Sequence, residues 1–338
     1  MSDKLRLGVA GCGKISRVSH VPGFLKVPGV EIAALCDSDR GRMDEVCKEH
    51  KIQPALFSDY AEMLKSGLDA VAICTPNFLH KDMSLAAFAA GLHVLCEKPM
   101  AATLPEATTM IRAARKAKKV LQINQSVRYS GLYVTIGELI KSGAIGEPFH
   151  IRCIRAGGNT PDKGWSPGAT WFVSKASQGG LVLDIGIHMA DMMEWVMGGE
   201  VEKIAALVDT RTQGIDVPDN VSALFRFRNG ATGILELSWT MPSGAGVLEI
   251  YGSQGRIRQG ATEKPIELTR IVDGKSEVTF PEQKPGIKDS FAAFADAIHG
   301  VAPSPTSGEM GRNALALCDA IAKSGGTGRF VKVQKFAR

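Results

Sequence analysis

Three ionisable side chains set the terms of this sequence. They are Lys98, in the stretch His93-Val94-Leu95-Cys96-Glu97-Lys98-Pro99, and the pair Asp184 and His188. Lys98 follows an apolar run that reads as a strand, and the carboxyl ends of parallel strands are where open sheets bind ligands. A lysine there can have its pKa drawn toward neutrality by burial, or keep its charge and stabilise negative charge building on an oxygen. A lone lysine in such a loop is more often simply solvated, so the reading rests on its companions. Asp184 and His188 fall in an apolar periodic run from Leu181 to Val196, which reads as a helix. Their spacing places them one turn apart on one face, with Asp191 three residues further on. A histidine bonded to a helix neighbour is the plain alternative. A metal would need ligands beyond Asp/His/Asp, and no H-E-x-x-H pattern is present, so no metal is expected.

A second group of residues has the chemistry of phosphate and ribose binding. The apolar strand Leu5–Ala10 runs into Gly11-Cys12-Gly13-Lys14-Ile15-Ser16, a G-x-G-x-x-S turn with Ser16 where a third Gly or Ala is usual. The first glycine permits the tight turn, and the second lets backbone approach a pyrophosphate. Lys14 and Ile15 open a helix whose first N–H groups point at the phosphates. Such a turn alone is a weak signal. Its context is a second strand, Val30–Cys36, ending at Asp37, where an acidic residue would hold the adenosine ribose hydroxyls. A carboxylate there would repel a 2′-phosphate, which favours NAD. Arg40 and Arg42 lie near enough to leave NADP open. Asp39 suits the cap of the helix from Arg40 to about Lys51.

The elements that must position these groups alternate. A short strand at Ala55–Phe57, a helix at Tyr60–Lys65 and the strand Ala70–Thr75 come next, then the turn Pro76-Asn77 and a helix from Lys81 to Ala90. The strand His93–Cys96 is followed by a helix from Leu104 to Lys118, with Thr103 as cap, and by the strand Leu121–Gln125. This order predicts an α/β Rossmann-type doubly wound parallel sheet over residues 1–125. Thr75, Pro76, Asn77 and His80 are expected on its cofactor rim, with Glu97 and Lys98. Residues 126–338 read differently: a helix near Val134–Ser142, a strand at Phe149–Arg155, a Gly-, Pro- and Trp-rich loop to Gly180, then the Asp184 helix. The segments Ala205–Arg211, Val221–Phe227, Thr232–Thr240 and Gly246–Tyr251 read as strands. They predict an α+β domain with a large, mostly antiparallel open sheet, one face of which needs a partner subunit. Helices near Ile287–His299 and Gly308–Lys323 are expected to pack back on the first domain.

Composition excludes several classes. The net charge of +5 is modest, and the basic run from Arg112 to Lys119 alternates with alanine as a solvated helix face does, so no nucleic-acid partner is expected. No apolar run is long enough to span a membrane, and no signal-peptide h-region or twin-arginine leader is seen. The seven cysteines form no Cys-x-x-Cys pair, so a cytoplasmic location is expected. Cys12, Cys36, Cys74 and Cys96 fall at strand ends. They are either small apolar fillers or thiols whose alkylation would hinder the cofactor.

On the Gly11-x-Gly13 turn, Cys74-Thr75-Pro76-Asn77 with His80, Glu97-Lys98-Pro99, Arg128 and the Gly179–Asp191 stretch, the chain resembles the Gfo/Idh/MocA oxidoreductases, the glucose–fructose oxidoreductase and inositol dehydrogenase family. The resemblance spans nearly the whole chain. It implies NAD(P)-dependent hydride transfer at a secondary alcohol of a sugar, inositol or related polyol, and a cis bond before Pro99. By the same resemblance Lys98, Asp184 and His188 correspond to the catalytic Lys, Asp and His. His188 would accept the hydroxyl proton, Lys98 stabilise alkoxide character and Asp184 position substrate or His188, although Lys98 or a Lys98–His188 relay could also take the proton. Trp165 and Trp171, in the loop before Asp184, offer aromatic faces to a hydroxyl-rich ring or pack the loop itself. Arg128 and Arg155 complete the expected substrate contacts, and a homodimer or homotetramer through the open sheet is expected. Two other functions are open: an NAD-dependent glycoside hydrolase using transient sugar oxidation, and a non-catalytic NAD(P)-binding sensor or repressor.

Overall fold

The apolar runs of the first 125 residues build a parallel sheet in the computed structural model of the chain, which describes residues 4–286 and 289–336. Its strands are β1 (Leu5–Ala10), β2 (Val30–Cys36), β3 (Ala55–Phe57), β4 (Ala70–Ile73), β5 (His93–Cys96) and β6 (Leu121–Ile123). They lie in the order β3-β2-β1-β4-β5-β6, every neighbouring pair parallel. This is the doubly wound order, with its switch point between β1 and β4. Strands buried on both faces need uninterrupted apolar side chains, and β4 is buried at all four positions.

The connecting helices are α1 (Val21–Phe24), α2 (Arg40–His50), α3 (Tyr60–Leu64), α4 (His80–Ala89) and α5 (Leu104–Ala117). Their ends follow local chemistry. Asp39 accepts hydrogen bonds from the Gly41 and Arg42 N–H groups, and Thr103 with Glu106 forms a reciprocal capping box at α5. The segment before α1 is wider than an α-helix: Ser16–His20 makes a π turn, closed by the Val21 N–H on the Ser16 carbonyl. Pro22 accounts for it, because its ring has no N–H to donate and crowds the carbonyl four residues back.

By its contacts the chain divides into two units, Met1–Gln125 with Lys288–Arg312, and Ser126–Ile287 with Asn313–Arg338. In the first unit, α8 (Ser290–Ile298) joins the core through Phe291 and Phe294, which share a buried cluster with Phe24, Leu7, Val9 and Leu35. Gly23 is needed there, since a Cβ would stand 2.2 Å from the Phe291 ring. Asp289 caps α8, and Ile287, where the helix was expected to begin, lies outside the described residues.

The second unit holds α6 (Gly131–Lys141), α7 (Ile187–Met197) and nine strands: β7 (Pro148–Ala156), β8 (Val201–Asp209), β9 (Asn220–Phe227), β10 (Thr232–Ser238), β11 (Ala245–Gly252), β12 (Gly255–Gln259), β13 (Ile266–Val272), β14 (Lys275–Thr279) and β15 (Val331–Lys332). Their order is β14-β13-β12-β11-β7-β10-β9-β8-β15. All pairs are antiparallel except β7 with β10. That pair is parallel because the chain returns to β7 only after passing through α7, β8 and β9. One face carries the Met-rich side of α7; on the other Leu207 is 74% exposed and Leu224 52%.

Two differences from the sequence expectations stand out. The helix expected from Leu181 to Val196 opens with a second π turn, Val182–Gly186, before α7 begins. Strands β12 to β14 are not among the expected segments; β14, the edge strand Lys-Ser-Glu-Val-Thr, is exposed throughout and so lacks the alternation that burial imposes. The Asp184-bearing segment is also entered through Gly180 at φ +109°, a conformation L side chains rarely adopt.

Replacing Phe294 with Ala is expected to destabilise the first unit by about 3–5 kcal/mol, the usual cost of emptying a fully buried aromatic site. Urea unfolding checks this, and a loss below about 1 kcal/mol would contradict the placement of α8 in that core.

Candidate functional site

The carboxyl end of β1 is shaped for a close approach. Gly11 has φ +90°, and a Cβ on it would lie 2.7 Å from the Cys74 carbonyl oxygen. The turn is stitched to both flanking strands, Gly11 N–H donating to Cys36 O at 2.8 Å and Cys74 N–H to Ala10 O at 2.7 Å. Gly13 is the opposite case: a Cβ there would meet nothing within 4 Å, so the turn leaves space beside the start of the helix. Next to it Asp37 is anchored by both oxygens, accepting the Cys12 N–H at 2.7 Å and the Asp39 N–H at 2.9 Å. A void at a helix start and a fixed carboxylate one strand away fit the pyrophosphate and adenosine ribose of a dinucleotide. Gly11, Gly13, Lys14, Ile15 and Asp37 are the residues that would hold them. Arg40 and Arg42 each pair with a carboxylate, Asp44 and Asp39 respectively, so neither guanidinium stands ready for a 2′-phosphate.

Lys98 stands two strands away, just past β5, half-buried and joined to Pro99 by a cis bond, as the resemblance implied. Its position is built on Glu97. The Glu97 carboxylate is buried, with His20 Nε2 and Asn124 Nδ2 each 2.6 Å from Oε1, while Oε2 accepts the Lys98 backbone N–H at 3.2 Å. Burial alone would push this carboxyl up. The hydrogen bond and charge of His20, with Asn124 and Lys98, outweigh it and bring the pKa down to about 2. Behind Asn124, Ser290 donates to its Oδ1 at 2.7 Å and Gln122 donates to Ser290, so α8 closes the network.

His80 supports the same loop from the other side. Its ring nitrogens lie 2.8 Å from the Pro99 and Thr75 carbonyl oxygens, and the residue is fully buried. Burial is the largest influence on its pKa, which is lowered. His80 and Glu97 were both expected to contact cofactor. Their hydrogen bonds to the protein brace the rim on which Thr75 and Lys98 stand. Thr75 and Pro76 are half-buried on that rim, and Asn77 is buried. The strand-end thiols are fillers: burial pushes Cys12 up to about 12 and Cys36 to about 11, with Cys74 and Cys96 also raised. Neutral, buried thiols are poor nucleophiles, which removes the reason to expect selective alkylation.

In the second unit Asp184 and His188 are half-buried, Asp184 inside the π turn and His188 in the first turn of α7. Gly186 between them brings the backbone close to β10, where a Cβ would stand 3.1 Å from Leu237. Asp191 is a different kind of residue. It is buried and takes a two-pronged pair from Arg128, Nε to Oδ2 at 2.7 Å and the terminal nitrogen to Oδ1 at 2.8 Å, with the guanidinium over Trp195. That fork holds the 3-10 turn Ser126–Tyr129 to α7. In the loop before Gly180, Trp171 stacks on Phe172 with ring centroids 3.7 Å apart, so those aromatics pack each other. Trp165 is 49% exposed, and Arg155 is exposed on β7. Among the described residues no group of His, Cys, Asp and Glu is arranged to hold a metal ion.

Sequence reasoning missed His20 and Asn124, which hold Glu97, and Ser290, which holds Asn124. A signal existed: Gln122, Asn124 and Gln125 are polar in a strand expected to be buried, and buried polar groups need partners.

Comparison with known proteins follows the same division. Residues 5–125 match the profile of an oxidoreductase family with an NAD-binding Rossmann fold, and residues 133–258 match the GFO/IDH/MocA C-terminal domain. A 1,5-anhydro-D-fructose reductase of Ensifer adhaerens is 29% identical over 97% of this chain and 98% of its own. A myo-inositol 2-dehydrogenase of Thermotoga maritima is 28% identical over 98% and 99%. Among solved structures, an oxidoreductase from Agrobacterium radiobacter in complex with NAD+, L-tartaric acid and magnesium superposes with a TM-score of 0.84, at 25% identity and 98% coverage of both chains.

A depressed carboxyl pKa means that Glu97 contributes stability above its unfolded pKa and loses it as pH falls toward 2. Between pH 4.5 and about 2 the wild type is expected to lose on the order of 3 kcal/mol that Glu97→Gln does not lose. Urea midpoints for both proteins across that window test it; parallel slopes would show that Glu97 is not held ionised.

Proposed function

The chain belongs to the Gfo/Idh/MocA family of oxidoreductases, with its NAD-binding Rossmann fold at residues 5–125, and from that membership we propose how its residues act on substrate. The reaction class is hydride transfer between nicotinamide and a secondary alcohol of a sugar, inositol or related polyol. Bound NAD supplies the hydride acceptor. The chain's own work is at the oxygen. As the carbinol C–H bond breaks, its hydroxyl must lose a proton for the product to be a carbonyl. His188 takes that proton, since histidine ordinarily titrates nearest neutrality. Lys98 donates a hydrogen bond to the same oxygen and stabilises its alkoxide character, while Asp184 orients substrate and His188. Arg155 and Trp165, both exposed, are the further groups we assign to substrate.

The observation that carries this reading is the anchoring of Lys98. Its neighbour Glu97 is a buried carboxylate held by His20 and Asn124, and it accepts the Lys98 backbone N–H, so the backbone from which Lys98 projects is fixed. The first unit thus binds cofactor and the second carries the proton acceptor. A homodimer or homotetramer through the outer sheet face is supported by exposed Leu207 and Leu224. A reducing, cytoplasmic setting is supported by the seven cysteines, six of which are buried as small apolar fillers. Among the described residues no helix is long and apolar enough to cross a membrane.

Two measurements test these assignments. Reduced-nicotinamide absorbance with NAD against inositols, aldoses and sugar acids is expected to show polyol-dependent turnover. Lys98→Ala should lower kcat about 10²–10³-fold, and His188→Gln about 10²–10⁴-fold with loss of the acidic limb of the pH profile. Tight NAD binding with no turnover on any polyol would overturn the dehydrogenase. For assembly, the double change Leu207→Glu and Leu224→Arg is expected to yield a monomer by light scattering; an unchanged mass would rule out that face.

A further inference from the structure

We propose that Gln125 recognises the carboxamide of the nicotinamide ring. The inference rests on the NAD reading above and adds a residue to it.

Three side-chain amides occupy positions 122 to 125, and two are satisfied. Gln122 donates to Ser290 O at 2.7 Å and accepts from Ser304 Oγ at 2.8 Å. Asn124 donates to Glu97 at 2.6 Å and accepts from Ser290 at 2.7 Å. Gln125 is 1% exposed, and neither its Nε2 nor its Oε1 has a hydrogen-bond partner. A buried amide with both ends unmatched is costly, so a partner from outside the chain that matched both ends would bind favourably there.

Its place in the sheet narrows the ligand. Cys96 pairs with Ile123, and Asn124 N–H donates to Cys96 O at 2.8 Å. Both strands end there, so Gln125 and Lys98 each stand two residues past the ends of neighbouring strands, at the carboxyl rim of the sheet, with the Gln125 N–H turned back onto Ile123 O at 2.7 Å. The Gly11–Gly13 turn at β1 and Asp37 at β2 suit the pyrophosphate and adenosine ribose. The other half of a dinucleotide then runs the opposite way, toward β4, β5 and β6, and it ends in a planar amide. One amide complements another: Gln125 Nε2–H donates to the carboxamide oxygen, and Oε1 accepts from the carboxamide N–H. Polyol hydroxyls could also satisfy a glutamine, but the group stands on the cofactor sheet.

The test uses binding, read by fluorescence of reduced nicotinamide. NADH is compared with the reduced 3-acetylpyridine analogue, in which a methyl ketone replaces the carboxamide and removes its N–H donors. Wild type is expected to prefer NADH by about tenfold, the worth of a buried hydrogen bond or two. In Gln125→Met, an apolar variant of similar size, that preference should fall to about one. The ligand-free variant should melt no lower than wild type, because an unsatisfied buried amide has been removed; a structural role would lower its melting temperature. Gln125→Glu keeps the acceptor, so it should retain part of the preference. An unchanged preference in Gln125→Met overturns the proposal. So does a rise in polyol KM with cofactor preference intact, which would turn the amide toward substrate. Absence of NADH binding by wild type would instead overturn the underlying NAD reading.

Discussion

A carboxylate without water around it must find other partners, and Glu97 finds them in a way that organises the first unit. It follows β5, where the sheet presents its ligand-binding edge, and it is held ionised by His20, Asn124 and the backbone of Lys98. Each partner comes from a separate element: the helix after the glycine turn, the end of β6, and the loop that carries the lysine. Removing any one would leave the others facing a buried, uncompensated charge, so the cost of misplacing them is large. The catalytic candidate is thereby positioned by its neighbour's electrostatics. Its own long, flexible stem could not do this.

The second unit repeats the device with different residues. Asp191, one helical turn beyond His188, is buried and clamped by the planar fork of Arg128, which also stacks over Trp195. In both units a half-buried ionisable group sits close in sequence to a fully buried carboxylate that is matched by a cation or by several hydrogen bonds. Satisfied buried networks of this kind rigidify their surroundings, and a hydride-transfer enzyme needs rigidity where the donor, acceptor and proton must be aligned. The two π turns fall in the same places, Ser16–His20 beside the glycine turn and Val182–Gly186 around Asp184. Wide turns are uncommon and concentrate at functional sites because they displace side chains from regular helical positions.

Much of the fold was legible because local rules sufficed. The strands β1, β2, β3 and β5 match their apolar runs residue for residue, and Asp39 and Thr103 cap the helices expected of them. The edge strand β14 was not legible, since an exposed edge imposes no alternation. The parallel pairing of β7 with β10 was hidden for another reason: it depends on the path of the chain, and no property of either strand records it.

The candidate site divides along the same line. Sequence alone determined the glycine turn, the acidic end of β2, the Glu-Lys-Pro triplet and the Asp184–His188 pair, because each is a local pattern whose residue types are set by nearby backbone or chemistry. Tertiary structure decided which polar residues bond to each other. Arg128, His80 and Glu97 looked like ligand contacts from their types, yet their hydrogen bonds run to Asp191, to the Thr75 and Pro99 carbonyls, and to His20 with Asn124. Those partners are distant in sequence, and hydrogen bonding is satisfied in space. Only the folded chain could therefore show which residues brace the site.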